Sequence, residues 1–180
     1  QMMDRIEAIP IKSMELGMNW DWETFPEYLD ALDKQGLGVN VGALFPFSPL
    51  RGYVLGMYDC RERTSVTDEE LNEMKRLFYD GMKAGAFGFS LDKNLEARCE
   101  DGNVLPTVVA SDREFLDLAK VMGEVGVGHI GVTLGSGLEL EERDSVRKMT
   151  EQIKRISGLT LHMMDAQTGE REKRISACRA

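Results

Sequence analysis

The sequence predicts a parallel α/β fold, and three observations predict it. Capping boxes stand at Thr24/Glu27, Thr67/Glu70 and Ser111/Glu114, each leading into apolar residues at helical spacing. Glycines close those stretches at Gly36, Gly85 and Gly126, and Gly158 closes a fourth. Short apolar runs of strand length then follow, so helix and strand alternate along the chain. Alternation of this kind means parallel strands joined by right-handed crossovers.

Taken in order, residues 1–22 form a loop with one helical turn, interrupted by Pro10 and Gly17. The first capped helix buries Phe25, Tyr28, Leu29 and Leu32, and Pro26 falls in its first turn, where proline is tolerated. Val39 to Leu44 is the first strand. Residues 45–63 lack a clean period, are broken by Pro46, Pro49, Gly52 and Gly56, and are dense in aromatics; a loop of that length is usually functional. The helix from Asp68 carries an apolar stripe of Leu71, Met74, Leu77, Phe78 and Met82, and Ala86 to Leu91 is the second strand. Residues 92–110 are a second long loop with a turn at Asp101-Gly102-Asn103. The third capped helix is lined by Phe115, Leu116, Ala119 and Met122, and 127–134 is the third strand. A charged helix over 139–157 turns Val146, Met149, Ile153 and Ile156 inward, and 159–164 is the fourth strand.

Two architectures accommodate four such strands, an open doubly wound sheet and part of a (β/α)8 TIM barrel. The long segments 45–66 and 92–111 both follow strands and precede helices, which is where barrels keep their active-site loops, so the partial barrel is the expectation. Residues 1–166 form that domain, and 167–180 a polar C-terminal tail. The opening Gln-Met-Met-Asp-Arg-Ile reads as the interior of a longer chain.

Hydrophobic content of 42% and charged content of 29% are those of a soluble globular protein. A net charge of -9 argues against nucleic acid or an anionic membrane as partner. Cys60, Cys99 and Cys178 are scattered and include no CxxC pair, so free thiols in a reducing, cytoplasmic compartment are expected. No apolar run approaches the length of a membrane span.

The stretch Trp20-Asp21-Trp22-Glu23-Thr24-Phe25-Pro26-Glu27-Tyr28-Leu29-Asp30-Ala31-Leu32 resembles a signature of the N-acyl-D-amino-acid deacylase (D-aminoacylase-like) branch of the amidohydrolase superfamily. Phe47 to Gly56, Ala84 to Ser90 and Leu118 to Gly128 follow in that family's order. The resemblance implies a metal-dependent barrel hydrolase that removes an acyl group from an amino-acid nitrogen. In such enzymes zinc polarises the amide and supplies hydroxide while an aspartate shuttles the proton. It also implies a metal site drawn from a His-X-His-type pair and a cysteine ahead of this region, histidines within or just after it, and an aspartate near the end. This chain departs from that pattern at Phe47, where a histidine is common, and in the histidine-free loop Lys93 to Arg98. A small-molecule N-acyl amino acid is the expected substrate of the full-length family, and zinc its cofactor, with none expected on this chain alone.

Few residues present themselves as site candidates. Asp165 ends the fourth strand and is the candidate for catalysis. Arg51 sits in an aromatic loop, where it either captures a substrate carboxylate or ties the loop to a backbone carbonyl. Ser90, at a strand end, either binds substrate or caps a turn. His129 and His162, the two histidines present, are weak metal candidates, since hydrolytic zinc needs about three converging protein ligands. The chain is thus expected to be a segment of an amidohydrolase, or alternatively a non-catalytic paralogue or binding scaffold that kept the fold and lost the ligands. Unpaired barrel edges would make it self-associate.

Overall fold

The computed structural model describes residues 9–95, 97–99, 102–134, 140–159 and 161–165. The expected tail at 167–180 and residues 1–8 lie outside these. The capping boxes start their helices as the sequence predicts. Thr67 Oγ1 accepts from the Glu70 amide at 3.2 Å, and Glu70 Oε2 accepts from the Thr67 amide at 2.8 Å. Thr24 and Glu27 make the same exchange, and the Ser111 amide donates to Glu114 Oε1 at 2.9 Å. The three helices end on left-handed glycines at Gly36, Gly85 and Gly126.

The described elements run α1 (Ile11–Gly17), α2 (Phe25–Gln35), β1 (Phe45–Pro46), α3 (Phe47–Leu55), α4 (Asp59–Glu62), α5 (Asp68–Ala84) and β2 (Gly88–Asp92). They continue with α6 (Pro106–Val109), α7 (Asp112–Val125), β3 (His129–Leu134), α8 (Leu140–Ser157) and β4 (Leu161–Asp165). The strands form one parallel sheet in chain order, β1-β2-β3-β4, of three full strands and a two-residue edge. The register pairs Phe45 with Phe89, Gly88 with His129 and Ile130 with Leu161. The helices follow the same order: α2 packs on α5, α5 on α7, and α7 on α8.

Burial explains the arrangement. Met74, Phe78 and Met82 of α5 and Phe115, Leu118 and Met122 of α7 press on Phe89, Leu91, Ile130 and Val132 of the sheet. Val146, Met149 and Ile153 of α8 complete the layer. A run of rings links Phe25, Phe45, Phe78 and Phe89 with centroids 4.5, 5.5 and 5.5 Å apart, each pair adding about 0.5–1.5 kcal/mol beyond area burial. Two glycines admit these contacts. A Cβ on Gly81 would lie 2.4 Å from the Phe45 ring, and one on Gly88, at φ +130°, would lie 1.7 Å from the His129 carbonyl oxygen.

Several expectations need correction. The strand expected at Val39 to Leu44 is displaced to Phe45–Pro46, and Val39 and Val41 are 75% and 55% exposed. The reason is register: β2 begins at Gly88, so the residues preceding Ala43 have no strand beside them, and pairing starts with the Phe87 amide donating to the Ala43 carbonyl at 2.8 Å. The loop expected over 45–63 contains α3 and α4. Pro49 lies in the first turn of α3, where its missing N–H costs nothing, and Gly52 is buried there, with Met57 and Cys60 sulfurs 3.6 and 3.7 Å from the position of a Cβ. The loop at 92–110 likewise holds α6 and an antiparallel bridge between Arg98 and Val104. The second, third and fourth strands begin two residues later than expected, at Gly88, His129 and Leu161. Ile156 is exposed rather than inward, and the apolar face of α2 is only half-buried.

Among the described residues the sheet ends on a two-residue strand at one side and on β4 at the other. Light scattering of the purified chain is expected to show dimers or larger species, because such edges template further pairing. A monodisperse monomer with sharp near-ultraviolet circular dichroism would contradict this.

Candidate functional site

In open parallel sheets and in barrels alike, ligands bind outside the carboxyl ends of the strands. Here that edge is formed by Phe47 after β1, Lys93 after β2, Leu134 ending β3 and Asp165 ending β4. Two arginines fix the chain that crosses it. Arg51 and Glu114 are both fully buried, and Arg51 Nε donates to Glu114 Oε2 at 2.7 Å. The guanidinium also donates to the Cys60 carbonyl, and its Nη2 to the Arg63 carbonyl at 2.7 Å. Glu114 Oε1 meanwhile accepts from the amide and hydroxyl of Ser111 at 2.9 and 3.0 Å. Arg63 in turn forks onto Glu70, two bonds of 2.7 Å, and this holds the Glu70 carboxyl down at about 2. The glutamates that cap α5 and α7 therefore also clamp residues 51–63.

Beside this clamp lies Lys93. Its amide donates to the Thr133 carbonyl at 2.9 Å, which carries the ladder one residue past β2. Its Nζ stands 4.4 Å from the centroid of the Phe115 ring, which packs at 4.6 Å on Phe47. Burial pushes the Lys93 amine down to about 8; Asp112 and Glu114 oppose the shift and Arg51 adds to it. Lys93 lines a cavity of about 160 Å³ whose polar lining also includes Asp112, Glu142 and Ser145. A perturbed lysine in a cleft at the carboxyl edge marks this as the candidate site. Sequence reasoning passed over it. Lys93 is one of many charged residues in a polar loop, and the available signal was its place directly after a buried strand.

The residues singled out from sequence do not gather there. Arg51 takes the tying role: the carboxylate it holds is that of Glu114, and its remaining donors go to backbone carbonyls. Ser90 stands in the middle of β2, opposite Pro46 and Gly131, rather than at a strand end. His129 opens β3, at the amino edge of the sheet, and its ring stacks on Phe87 at 5.7 Å. His162 pairs with Gly131 and Asp165 with Leu134. At ~3.3 Å per residue, the five steps from His129 to Leu134 separate the two edges by roughly 16 Å. His129, His162 and Asp165 are thus strung along the strands, and among the described residues no three His, Cys, Asp or Glu side chains are grouped to hold a metal. Among the described residues, no helix is long and apolar enough to cross a membrane.

Uncharacterized proteins of Mycobacterium bovis and Mycobacterium tuberculosis are 33% identical to this chain over 133 residues, which cover 69% of it and 22% of theirs. A D-aminoacylase of Alcaligenes xylosoxydans xylosoxydans is 35% identical over 81 residues, 45% of this chain and 16% of the enzyme. The chain spans about a fifth of the length of these curated relatives. This partial similarity to a D-aminoacylase points to a relation with the amidohydrolases. No protein-family model and no solved structure matches the chain.

Two substitutions check the electrostatics of the site. Glu114→Gln leaves the buried Arg51 charge uncompensated, so it is expected to cost about 3 kcal/mol in urea unfolding. The exposed pair of Glu73 with Arg76 supplies the contrast, and Glu73→Gln is expected to cost under about 1 kcal/mol. Equal losses from the two would refute the clamp. Lys93→Met tests the buried amine. A lysine whose folded value lies below its ordinary 10.5 binds fewer protons folded than unfolded between about 8 and 10.5, so stability rises with pH through that window. The variant is therefore expected to exceed the parent by on the order of 3 kcal/mol at neutral pH, and the gap to close towards pH 10.5. The groups setting this balance are Asp112, Glu114 and Arg51, with Glu142 at the rim. Melting temperatures of both proteins across pH 6–11 measure it, and a gap that does not narrow would contradict it.

Proposed function

We propose that this chain is a segment of a metal-dependent amidohydrolase acting on the amide of N-acyl-D-amino acids, and that its sheet is part of a (β/α)8 barrel. The similarity to a D-aminoacylase carries the reading. The strand order supports the barrel part: neighbours in chain order, all parallel, with consecutive helices packed on one another, is the pattern of a barrel wall and lacks the reversal that defines a doubly wound sheet. In this reading zinc, held by ligands beyond these residues, would polarise the amide carbonyl and generate hydroxide. Asp165 ends β4 at the edge where barrel enzymes place catalytic groups, and is the candidate for proton transfer. The clamp of Arg51 and Arg63 keeps the segment after β1 in place beneath that edge.

One observation favours a second reading, a scaffold without catalysis. Phe47 occupies the position at which the resemblance places a histidine, and it is buried against the Phe115 ring. A metal ligand there would have to displace a core aromatic.

The experiment compares this chain with the same chain extended by its flanking coding sequence. Acid release from a panel of N-acetyl-D-amino acids is assayed alongside zinc content. Zinc-dependent turnover by the extended protein, abolished by a chelator, is the expected result, with none from the 180-residue chain. An extended protein that holds no stoichiometric zinc and is inert on the panel would favour the scaffold. Turnover with stoichiometric zinc in the short chain would overturn the segment reading and make Asp165, His162 and His129 the first residues to replace.

A further inference from the structure

Three connections enter the sheet at its amino edge, and each turns bulky apolar residues to solvent. Between α2 and β1 these are Leu37, Val39 and Val41, exposed by 43, 75 and 55%. Phe87, between α5 and β2, is 55% exposed, and Val127, between α7 and β3, is 57% exposed. The three segments touch. A Cβ on Gly42 would lie 2.9 Å from the Phe87 ring, the Phe87 amide donates to the Ala43 carbonyl, and the His129 amide donates to the Phe87 carbonyl at 2.6 Å. They are also uncharged: residues 35–50, 84–91 and 125–134 contain no Asp, Glu, Lys or Arg, in a chain that is 29% charged. Lys34, Lys83 and Glu124, exposed in the last turns of α2, α5 and α7, flank these segments.

We propose that this amino-edge face binds a second copy of the chain. Two observations choose that occupant. The first is charge. At a net charge of -9, two copies repel across any surface that carries its share of the acidic groups, and these segments carry none. A cationic or an acidic partner finds no opposite charge there, whereas a like copy meets the face with an equally uncharged apolar surface. The second is area. At ~150–250 Å² for a large apolar side chain, the five residues expose on the order of 500 Å² per copy. Two such faces together reach about 1,000 Å², the lower bound of a specific interface. One face meeting itself closes on a two-fold axis, so association through it stops at a dimer. This contact packs side chains at the strand starts and is distinct from strand pairing along the outer edges of the sheet. It lies at the opposite end from the carboxyl edge and does not rest on the hydrolase reading.

Sedimentation velocity of the full chain over a concentration series provides the test. A monomer–dimer equilibrium with Kd of about 10–100 µM is expected, as suits an interface of small area. Val39→Asp and Val127→Asp, both at exposed positions, are each expected to weaken association about tenfold or more. Circular dichroism verifies that both remain folded. Leu16→Asp adds the same charge at a 91% exposed site on α1 and is expected to leave Kd within about twofold of the parent. A mixture of Val39→Asp and Val39→Lys chains is expected to associate more tightly than either variant alone, because opposite charges then meet across the two-fold interface. A parent that stays monomeric, association that survives Val39→Asp and Val127→Asp, or an equal weakening by Leu16→Asp would overturn the inference. So would a mixture that associates no more tightly than its components. The readout involves neither zinc nor turnover, so its failure leaves the hydrolase reading intact, and the reverse holds too.

Discussion

Two glutamates that begin helices also hold two arginines, and the rest of the molecule depends on that double use. Glu114 closes the capping box of α7 with one carboxylate oxygen and grips buried Arg51 with the other. Glu70 caps α5 through Oε2 and takes the Arg63 fork on both of its oxygens. Arg51 then reaches the carbonyl of Arg63, so the two clamps are linked through the backbone. A buried ion pair is stabilising only when its remaining polar atoms are satisfied. Here each carboxylate oxygen and each guanidinium nitrogen has a partner, because the helix N-terminus takes the second oxygen and two loop carbonyls take one bond from each terminal nitrogen. The consequence is geometric: residues 47–63, rich in glycine and proline, become two short helices pinned against α5 and α7.

That pinning shapes the carboxyl edge of the sheet. It places Phe47 against Phe115, and the Phe115 ring then supports the amine of Lys93. The lysine is partly removed from water without a direct carboxylate partner, so its proton is held less firmly than on a surface lysine. Charge at this edge is therefore sorted: arginine and lysine inside, Asp112 and Glu142 at the rim. The chain's overall negative charge gives no hint of this local order. The opposite edge carries exposed apolar residues, Val41, Phe87 and Val127, and the stacked Phe87–His129 pair.

Much of the fold was legible because the responsible interactions are local. A capping box spans four residues, a helical stripe about four turns and a glycine stop one residue, so Thr67, Glu70, Leu71, Phe78 and Gly85 announce α5 without reference to anything else. The site was less legible because its members come from distant segments. Arg51 and Glu114 are 63 residues apart, and no spacing in the chain pairs them. Lys93 becomes unusual only once Phe115 and the N-terminal turns of α7 and α8 are brought over it.

The sequence by itself determined the alternation of helices and parallel strands, the starts and stops of α2, α5 and α7, and the apolar faces that pack on the sheet, since each follows from periodicity and hydrogen bonds between near neighbours. Tertiary structure decided where β1 begins, because a strand exists only beside a partner and β2 supplies one from Gly88 onward. It decided that residues 47–63 fold as helices, because Gly52 is a breaker only until Met57 and Cys60 pack against it. It also decided the meaning of Arg51, which could hold a ligand or the protein itself until the fold delivered Glu114 to within 2.7 Å.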